Sequence, residues 1–305
     1  MVQNKSLGNG VPVSKCKIHI DKTTNIWYKI DINLRRYTLE NLEQISKQIR
    51  KDIVTMVHKA KSGHPGGSLS AADIVTALYF KEMNINPQDP TNENRDRFVL
   101  SKGHAAPVLY SALANRGYFN KEELHTLRNI KSSLQGHPDK NKIPGVDMTT
   151  GSLGQGVSTA VGMALAGKLA KKTYRVYCLL GDGEIQEGQV WEAVMSASHY
   201  NLDNLCVIVD NNNLQIDGEI TKVMSPYPID EKFKSFGFNV INIDGHNMAE
   251  ILQAFETAKV TKGKPTAIIA KTVKGKGVSF MENNAKWHGK APNDEECEKA
   301  LLELS

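Results

Sequence analysis

Two strand-like runs stand near the middle of the chain, residues 174–180, apolar but for Arg175, and residues 205–209, and each is closed by a polar turn. Gly181-Asp182-Gly183 follows the first and Asp210-Asn211-Asn212-Asn213 the second. Runs of this kind read as strands buried on both faces. Upstream, Leu42, Ile45, Ile49, Ile53, Val54 and Val57 recur at helical spacing and predict a helix from residue 38 with one apolar face. Ser62-Gly63-His64-Pro65-Gly66-Gly67 breaks that pattern. Ser70 stands where it would cap a helix over 71–83, with Asp73 in its first turn. A Pro/Asn/Asp loop over 84–96 leads to a strand at 97–100, closed by Ser101-Lys102-Gly103-His104, and then to a helix over 107–115. Gly136-His137-Pro138 marks a further loop. Thr150-Gly151-Ser152-Leu153-Gly154-Gln155-Gly156 opens a helix of small residues over 157–171, and a helix over 188–200 joins the two central strands. A strand at 239–243 ends in Asp244-Gly245-His246. A helix covers 248–260, and a last strand at 266–272 leads to Gly275-Lys276-Gly277. Strands alternating with helices predict an α/β fold: a doubly wound, mostly parallel sheet with helices on both faces.

Composition narrows this picture little further. The chain of 305 residues is 40% apolar and 23% charged, which excludes a disordered polymer. Its net charge of +5 suits anionic metabolites as well as nucleic acid, and no RGG, zinc-knuckle or aromatic-basic pattern supports the latter. Cys16, Cys178, Cys206 and Cys297 form no CxxC pair, so a reducing compartment is expected, with cytoplasm as the default. No apolar run approaches a membrane span and the N-terminus lacks a signal-peptide core. Three segments are expected: a polar N-terminal extension over 1–36, carrying short alternating patches at 17–20 and 26–30; a main domain over 37–292; and a charged tail over 293–305 that reads as a finishing helix.

The chemistry is expected where strands end, because open α/β sheets hold ligands beyond their carboxyl edge. His104, Asp182, Asn212, His246 and the Gly275-Lys276-Gly277 turn all follow strands. Alone, Gly-Asp-Gly and Asn-Asn are ordinary turn dipeptides. Together, each closing a buried strand, they read as a place to hold a divalent metal against a diphosphate. Magnesium favours hard oxygen donors and keeps one or two carboxylates plus phosphate oxygens. The glycines flanking Asp182 allow a sharp turn and a close phosphate approach. His64, His104 and His137 sit beside glycines in loops, where an imidazole can reach a ligand and relay protons near neutral pH. No spacing suits zinc.

The motifs SGHPGG, SKGHAAPVLY, GSLGQG, GDGEIQEGQVWEA, DNNNLQIDG, DGHN and KTVKGKG occur here in the order in which the amino-terminal half of transketolase carries them. From about residue 39 to 292 the chain resembles that family of thiamine-diphosphate enzymes of the pentose phosphate pathway. The resemblance implies roles. Asp182, the Asn212 side chain and the Leu214 carbonyl would bind Mg2+, with Ca2+ or Mn2+ as substitutes. Gly183 would help hold the diphosphate, with His104 and His246 at the diphosphate or the edge of the site. Gly151 and Leu153 would lie against the aminopyrimidine, and His64 and His137, with His104, would serve the substrate and its proton transfers. Glu187 would lie at an interface coupling two sites; without the family it reads as a helix-terminal acid.

The family's cofactor carries a two-carbon ketol unit from a ketose phosphate to an aldose phosphate. Its activation needs a glutamate from a pyrimidine-binding domain that lies in the second half of full-length transketolase. The resemblance therefore implies a split enzyme: this chain would be the N-terminal subunit, inactive alone and paired with a C-terminal subunit in an α2β2 heterotetramer acting on sugar phosphates. A fragment of a longer gene is the alternative origin. Two other functions stay open at this point: a related enzyme on another sugar, or one like deoxyxylulose-phosphate synthase, and a non-catalytic cofactor-binding subunit.

Overall fold

The structure, a computed structural model, describes residues 37–305. The patches expected at 17–20 and 26–30, and Cys16, lie outside the described residues.

Helix α1 (Leu39–Ala60) begins at Thr38, whose hydroxyl accepts the Asn41 N–H in a capping box, and stops at Lys61 in the left-handed conformation. Its apolar stripe, Leu42, Ile49, Ile53 and Val57, is fully buried. The breaker after it is shorter than the sequence suggests. Pro65, which needs no N–H partner at a first helical position, opens α2 (Pro65–Ser70). The helix expected over 71–83 is α3 (Ala72–Ala77), continued by a π-helical turn over Leu78–Glu82. Ser70 does not cap it. Its hydroxyl donates to the Asp210 carboxylate at 2.5 Å and to the Gly67 carbonyl. A charged acceptor outcompetes a helix terminus for that proton.

Strand β1 (Arg97–Leu100) and helices α4 (Ala106–Arg116) and α5 (Gln155–Leu169) follow, then β2 (Val176–Gly181), α6 (Gly188–His199) and β3 (Leu205–Asn211). A small hairpin pairs β4 (Leu214–Gln215) with β5 (Gly218–Glu219). Helices α7 (Ile220–Val223) and α8 (Ile229–Ser235) lead to β6 (Asn239–Asp244), α9 (Met248–Val260), β7 (Thr266–Lys271) and α10 (Asp294–Glu303).

The main sheet has five strands in the order β1-β2-β3-β7-β6, all parallel. The expected doubly wound α/β fold is therefore the observed one. The two faces sort by strand alternation. Val176, Cys178 and Leu180 of β2 pack with α5, α6 and α8, whereas Tyr177 and Leu179 pack with α1, α3, α4 and α9. Both faces being covered explains why the strands read as continuous apolar runs. From β3 the chain steps to the sheet edge at β6 and returns through α9 to insert β7 beside β3. Right-handed crossovers put the returning helix on the opposite face. Helix α10 joins the α1 side, burying Cys297, Ala300 and Leu304 in that core. Cys178, Cys206 and Cys297 are free buried thiols. No helix of the described residues is long and apolar enough to cross a membrane.

Candidate functional site

A cavity of about 200 Å3 opens at the carboxyl ends of β2, β3 and β7. Its walls bring together Asp182 and Gly183 after β2, Asn212 and Leu214 after β3, Lys274 after β7, and Lys102, His104, Leu153 and His288 from the surrounding loops. The Asp182 carboxylate and the Asn212 amide thus share the cavity with two lysines and two histidines, and Glu184, Glu187, Gln186 and Gln215 complete its polar lining.

Asp182 is 2% exposed. Its Oδ1 accepts the Gly183 N–H at 2.8 Å and its Oδ2 the Asn213 N–H at 2.5 Å, which ties the two strand-end turns together. Asn212 Oδ1 accepts the Leu214 N–H at 3.1 Å, and its Nδ2 donates to Asp210 Oδ2 at 3.3 Å. The Leu214 carbonyl accepts from Lys274 Nζ at 3.1 Å. Burial, then the neighbouring Asp210 charge, pushes the Asp182 carboxyl up from its ordinary range. Beneath this layer Lys102 pairs with the fully buried Asp210, which also accepts from Ser70 and Thr272. Burial opposes ionisation of Asp210, but the Lys102 ammonium and these hydrogen bonds outweigh it and hold its carboxyl low. Glu184, just beyond, clasps three segments: it accepts from Ser101 Oγ, the Gly154 N–H and the Gly181 N–H.

Three imidazoles meet at one side of the cavity. His104 and His288 stack with centroids 5.0 Å apart, and His64 lies edge-on to both at 5.4 and 5.5 Å. His137 comes close through Gly151, whose missing side chain leaves room: a Cβ there would stand 3.2 Å from His137 Cδ2. Burial keeps these rings neutral. It lowers His64 to about 4, helped by Arg128, and His288 to about 3, helped by Lys274. His104 falls well below its ordinary value through burial and Lys102, and His137 falls through burial and Arg128.

His246 is not brought to this cavity. Its Nδ1 faces Asp73 Oδ2 at 2.8 Å and its Nε2 accepts the Val273 N–H at 2.8 Å, so both ring nitrogens are occupied inside the fold. It lies instead in the neighbouring groove, which Asn212 also borders. Lys276 also turns away, into the neighbouring groove, and Lys274 takes the place expected of that turn. Gly151 lies in a shallow pocket beside the cavity, with Thr150 and Thr159, while Leu153 lines the cavity itself. Glu187 borders the cavity as the residue before α6, without a capping bond. Sequence reasoning missed Lys102, Lys274 and Glu184 and left His288 unassigned. Each of the two lysines stands next to a glycine in a loop that follows a strand, and that position was the available signal.

The donor set fits a diphosphate held with a divalent ion. Among the described residues no group of three His, Cys, Asp or Glu side chains could hold a metal ion alone. A site of one carboxylate, one amide and a carbonyl needs phosphate oxygens to complete the shell. The buried Nδ1 of the lining residue His288 lacks a partner, which leaves a polar atom available at the cavity. The cavity's volume accommodates a diphosphate rather than an entire cofactor.

A parallel α/β sheet with a polar cavity at its carboxyl edge defines the class of α/β domains that hold ligands beyond their strand ends. Residues 41–304 match the family described as the thiamine diphosphate binding domain of transketolase, and the chain belongs to that family. It is 44% identical over 267 residues to one of the subunits of the apulose-4-phosphate transketolase of Phocaeicola vulgatus, covering 88% of this chain and 95% of that one. It is 45% identical over 264 residues to the 6-deoxy-6-sulfo-D-fructose transketolase subunit SqwG of Clostridium sp. (strain MSTE9), covering 87% and 96%. Human transketolase is 44% identical over 270 residues, with 87% of this chain matching 42% of that protein. The crystal structure of transketolase from Campylobacter jejuni superposes with a TM-score of 0.83 at 38% identity, over 88% of this chain and 43% of that one.

Proposed function

We propose that this chain is the N-terminal, cofactor-anchoring subunit of a transketolase that works with a separate pyrimidine-domain subunit. The observation that carries this reading is coverage: the chain spans 95% and 96% of two relatives named as transketolase subunits, but only 42% of human transketolase. The synthase-like and non-catalytic alternatives are not favoured by those relatives. The reaction is reversible transfer of a two-carbon ketol unit between sugar phosphates, and the assembly is an α2β2 heterotetramer in the cytoplasm.

Thiamine diphosphate, when bound, supplies the carbon nucleophile and electron sink that break and remake the carbon–carbon bond. Asp182 and the Asn212 amide hold Mg2+, with the Leu214 carbonyl as a third donor shared with Lys274. Lys274, His104 and His288 face the diphosphate, and Gly183 lets it approach. Leu153 and Gly151 border the aminopyrimidine end. Neutral His64 and His137 meet the sugar hydroxyls and hold or pass protons there. His246 acts from behind, fixing the backbone at Val273 next to Lys274.

The test is reconstitution. The chain, its pyrimidine-domain partner, thiamine diphosphate and Mg2+ are combined and ketol transfer from xylulose 5-phosphate to ribose 5-phosphate is followed. Activity of the complex and none of either subunit is expected. Activity of this chain alone, or none from the complex on any sugar phosphate, refutes the reading.

A further inference from the structure

Arg128 sits between the two loops that carry His64 and His137, and in the site described above it figures only as a charge that lowers both rings. Its Nη1 donates to Ser62 Oγ at 3.2 Å and its Nη2 to His64 Nδ1 at 3.4 Å. On another side it packs against Gly136, the residue before His137, where an added Cβ would stand 2.9 Å from the guanidinium carbon. The Tyr110 hydroxyl holds that second loop through the Gln135 and His137 carbonyls, at 2.8 and 3.0 Å. The Arg128 backbone is itself left-handed, with φ at 61°, and its N–H donates to the Leu134 carbonyl at 2.7 Å. Among the described residues Arg128 makes no ion pair with a carboxylate. This cation is therefore aimed at an imidazole rather than at an acid.

A guanidinium can only donate, so the nitrogen that faces it must carry a lone pair. In a neutral ring the proton then sits on the other nitrogen. His64 Nε2 makes no hydrogen bond to the described residues and faces Gly289, where a Cβ would stand 3.7 Å away. The groups around the ring are Arg128, His137, Lys274, His104 and His288, all neutral or cationic, so no acid holds a second proton on it.

We propose that Arg128 is a positioning residue that locks His64 as its Nε2–H tautomer and so presents a hydrogen-bond donor to the substrate at the mouth of the cavity. The tautomer follows from the geometry; only the identity of the group that meets Nε2–H rests on the transketolase reading.

Two readouts test it. The first is long-range 1H–15N correlation on the full chain labelled at histidine, with the His64 signal identified by its loss in His64→Gln. The wild type is expected to show one Nε2–H pattern between about pH 5.5 and 8. Arg128→Met is expected to show tautomer exchange, with protonation beginning at higher pH. Ser62→Ala, which removes the guanidinium's other anchor and spares the packing, is expected to change the spectrum in the same sense but less. The second readout is steady-state kinetics of the reconstituted complex. Arg128→Met is expected to lower kcat about tenfold with little change in KM and to move the acid limb upward. An unchanged His64 spectrum in Arg128→Met overturns the proposal. So does a rise in KM confined to phosphorylated sugars at constant kcat, which makes Arg128 an anion ligand instead. If the wild-type complex is inactive yet the spectrum responds to Arg128→Met, the transketolase reading fails while the tautomer assignment stands.

Discussion

Replacing Lys102 with methionine tests the most deeply buried charge pair beneath the cavity. Lys102 is 2% exposed and Asp210 fully buried. Methionine keeps much of the apolar stem but removes the ammonium from the Asp210 carboxylate and from the Gly67 carbonyl, which it meets at 2.8 Å. Asp210 keeps Ser70, Thr272 and the Asn212 amide as donors, but no counter-charge. Stranding a buried charge costs about 3–5 kcal/mol. For a chain of this size that lowers the melting temperature by on the order of 10 °C. The assay is denaturant unfolding of the isolated chain near neutral pH, run on Lys102→Met, Asp210→Asn and the double variant. The double variant is expected to recover about 2 kcal/mol relative to the sum of the singles, because neither charge is then left alone. The pair's Asp210 is held below its ordinary value by the Lys102 ammonium against burial, so its stabilisation is present above the unfolded carboxylate pKa and lost as pH falls through the lower folded one. The penalty of Lys102→Met should therefore shrink in acid. A cost below about 1 kcal/mol, the level of an exposed ion pair, would refute the argument that this pair is dry. Strict additivity in the double variant would refute the claim that the two charges stabilise one another.

Three further outcomes follow from the same geometry. Asp182→Ala should weaken Mg2+-dependent binding of thiamine diphosphate by the complex at least about tenfold, measured by calorimetry, and an unchanged affinity places the metal elsewhere. The folded values of His64 and His288 lie below the unfolded histidine value, chiefly through burial, so the unfolded state binds these protons first. Stability should decline as pH falls from about 6.5 towards 4, and His64→Gln should flatten part of that decline in thermal melts. On α5, Gly156→Ala places a Cβ 2.7 Å from the Ser101 Cα and should destabilise the chain by about 1–3 kcal/mol, whereas Gly162→Ala meets nothing within 4 Å and should stabilise it by about 0.5–1 kcal/mol. Equal effects of the two in unfolding experiments would contradict the packing of α5 on β1.

The strands and most helices were legible in the sequence because their causes are local. The apolar runs of β2, β3 and β7 are continuous because both faces of the sheet are covered, and the stripe of α1 matches the face it buries. Asp182 and Asn212 were legible as a pair because each ends one of two adjacent strands, and the resemblance added Leu214. His104 and Leu153 also reached the cavity, since their loops cross the same edge. Ser70 was misread as a helix cap because its true partner, Asp210, lies 140 residues away along the chain.

Only the tertiary structure decided which strand ends share a site. Chain order would set β6 beside β3. In the folded sheet β7 is inserted between them, so Lys274 enters the cavity while His246 is carried to the edge and captured by Asp73. Strand order is a matter of long-range pairing and crossover hand, which no window of sequence contains. The same holds for the pairing of Lys102 with Asp210 and for Arg128 against His64, where the sense of a charge depends on what burial places beside it. Sequence by itself determined the elements, the family and the candidate metal-binding pair; packing decided which of the remaining polar side chains line the cavity and which hold the fold behind it.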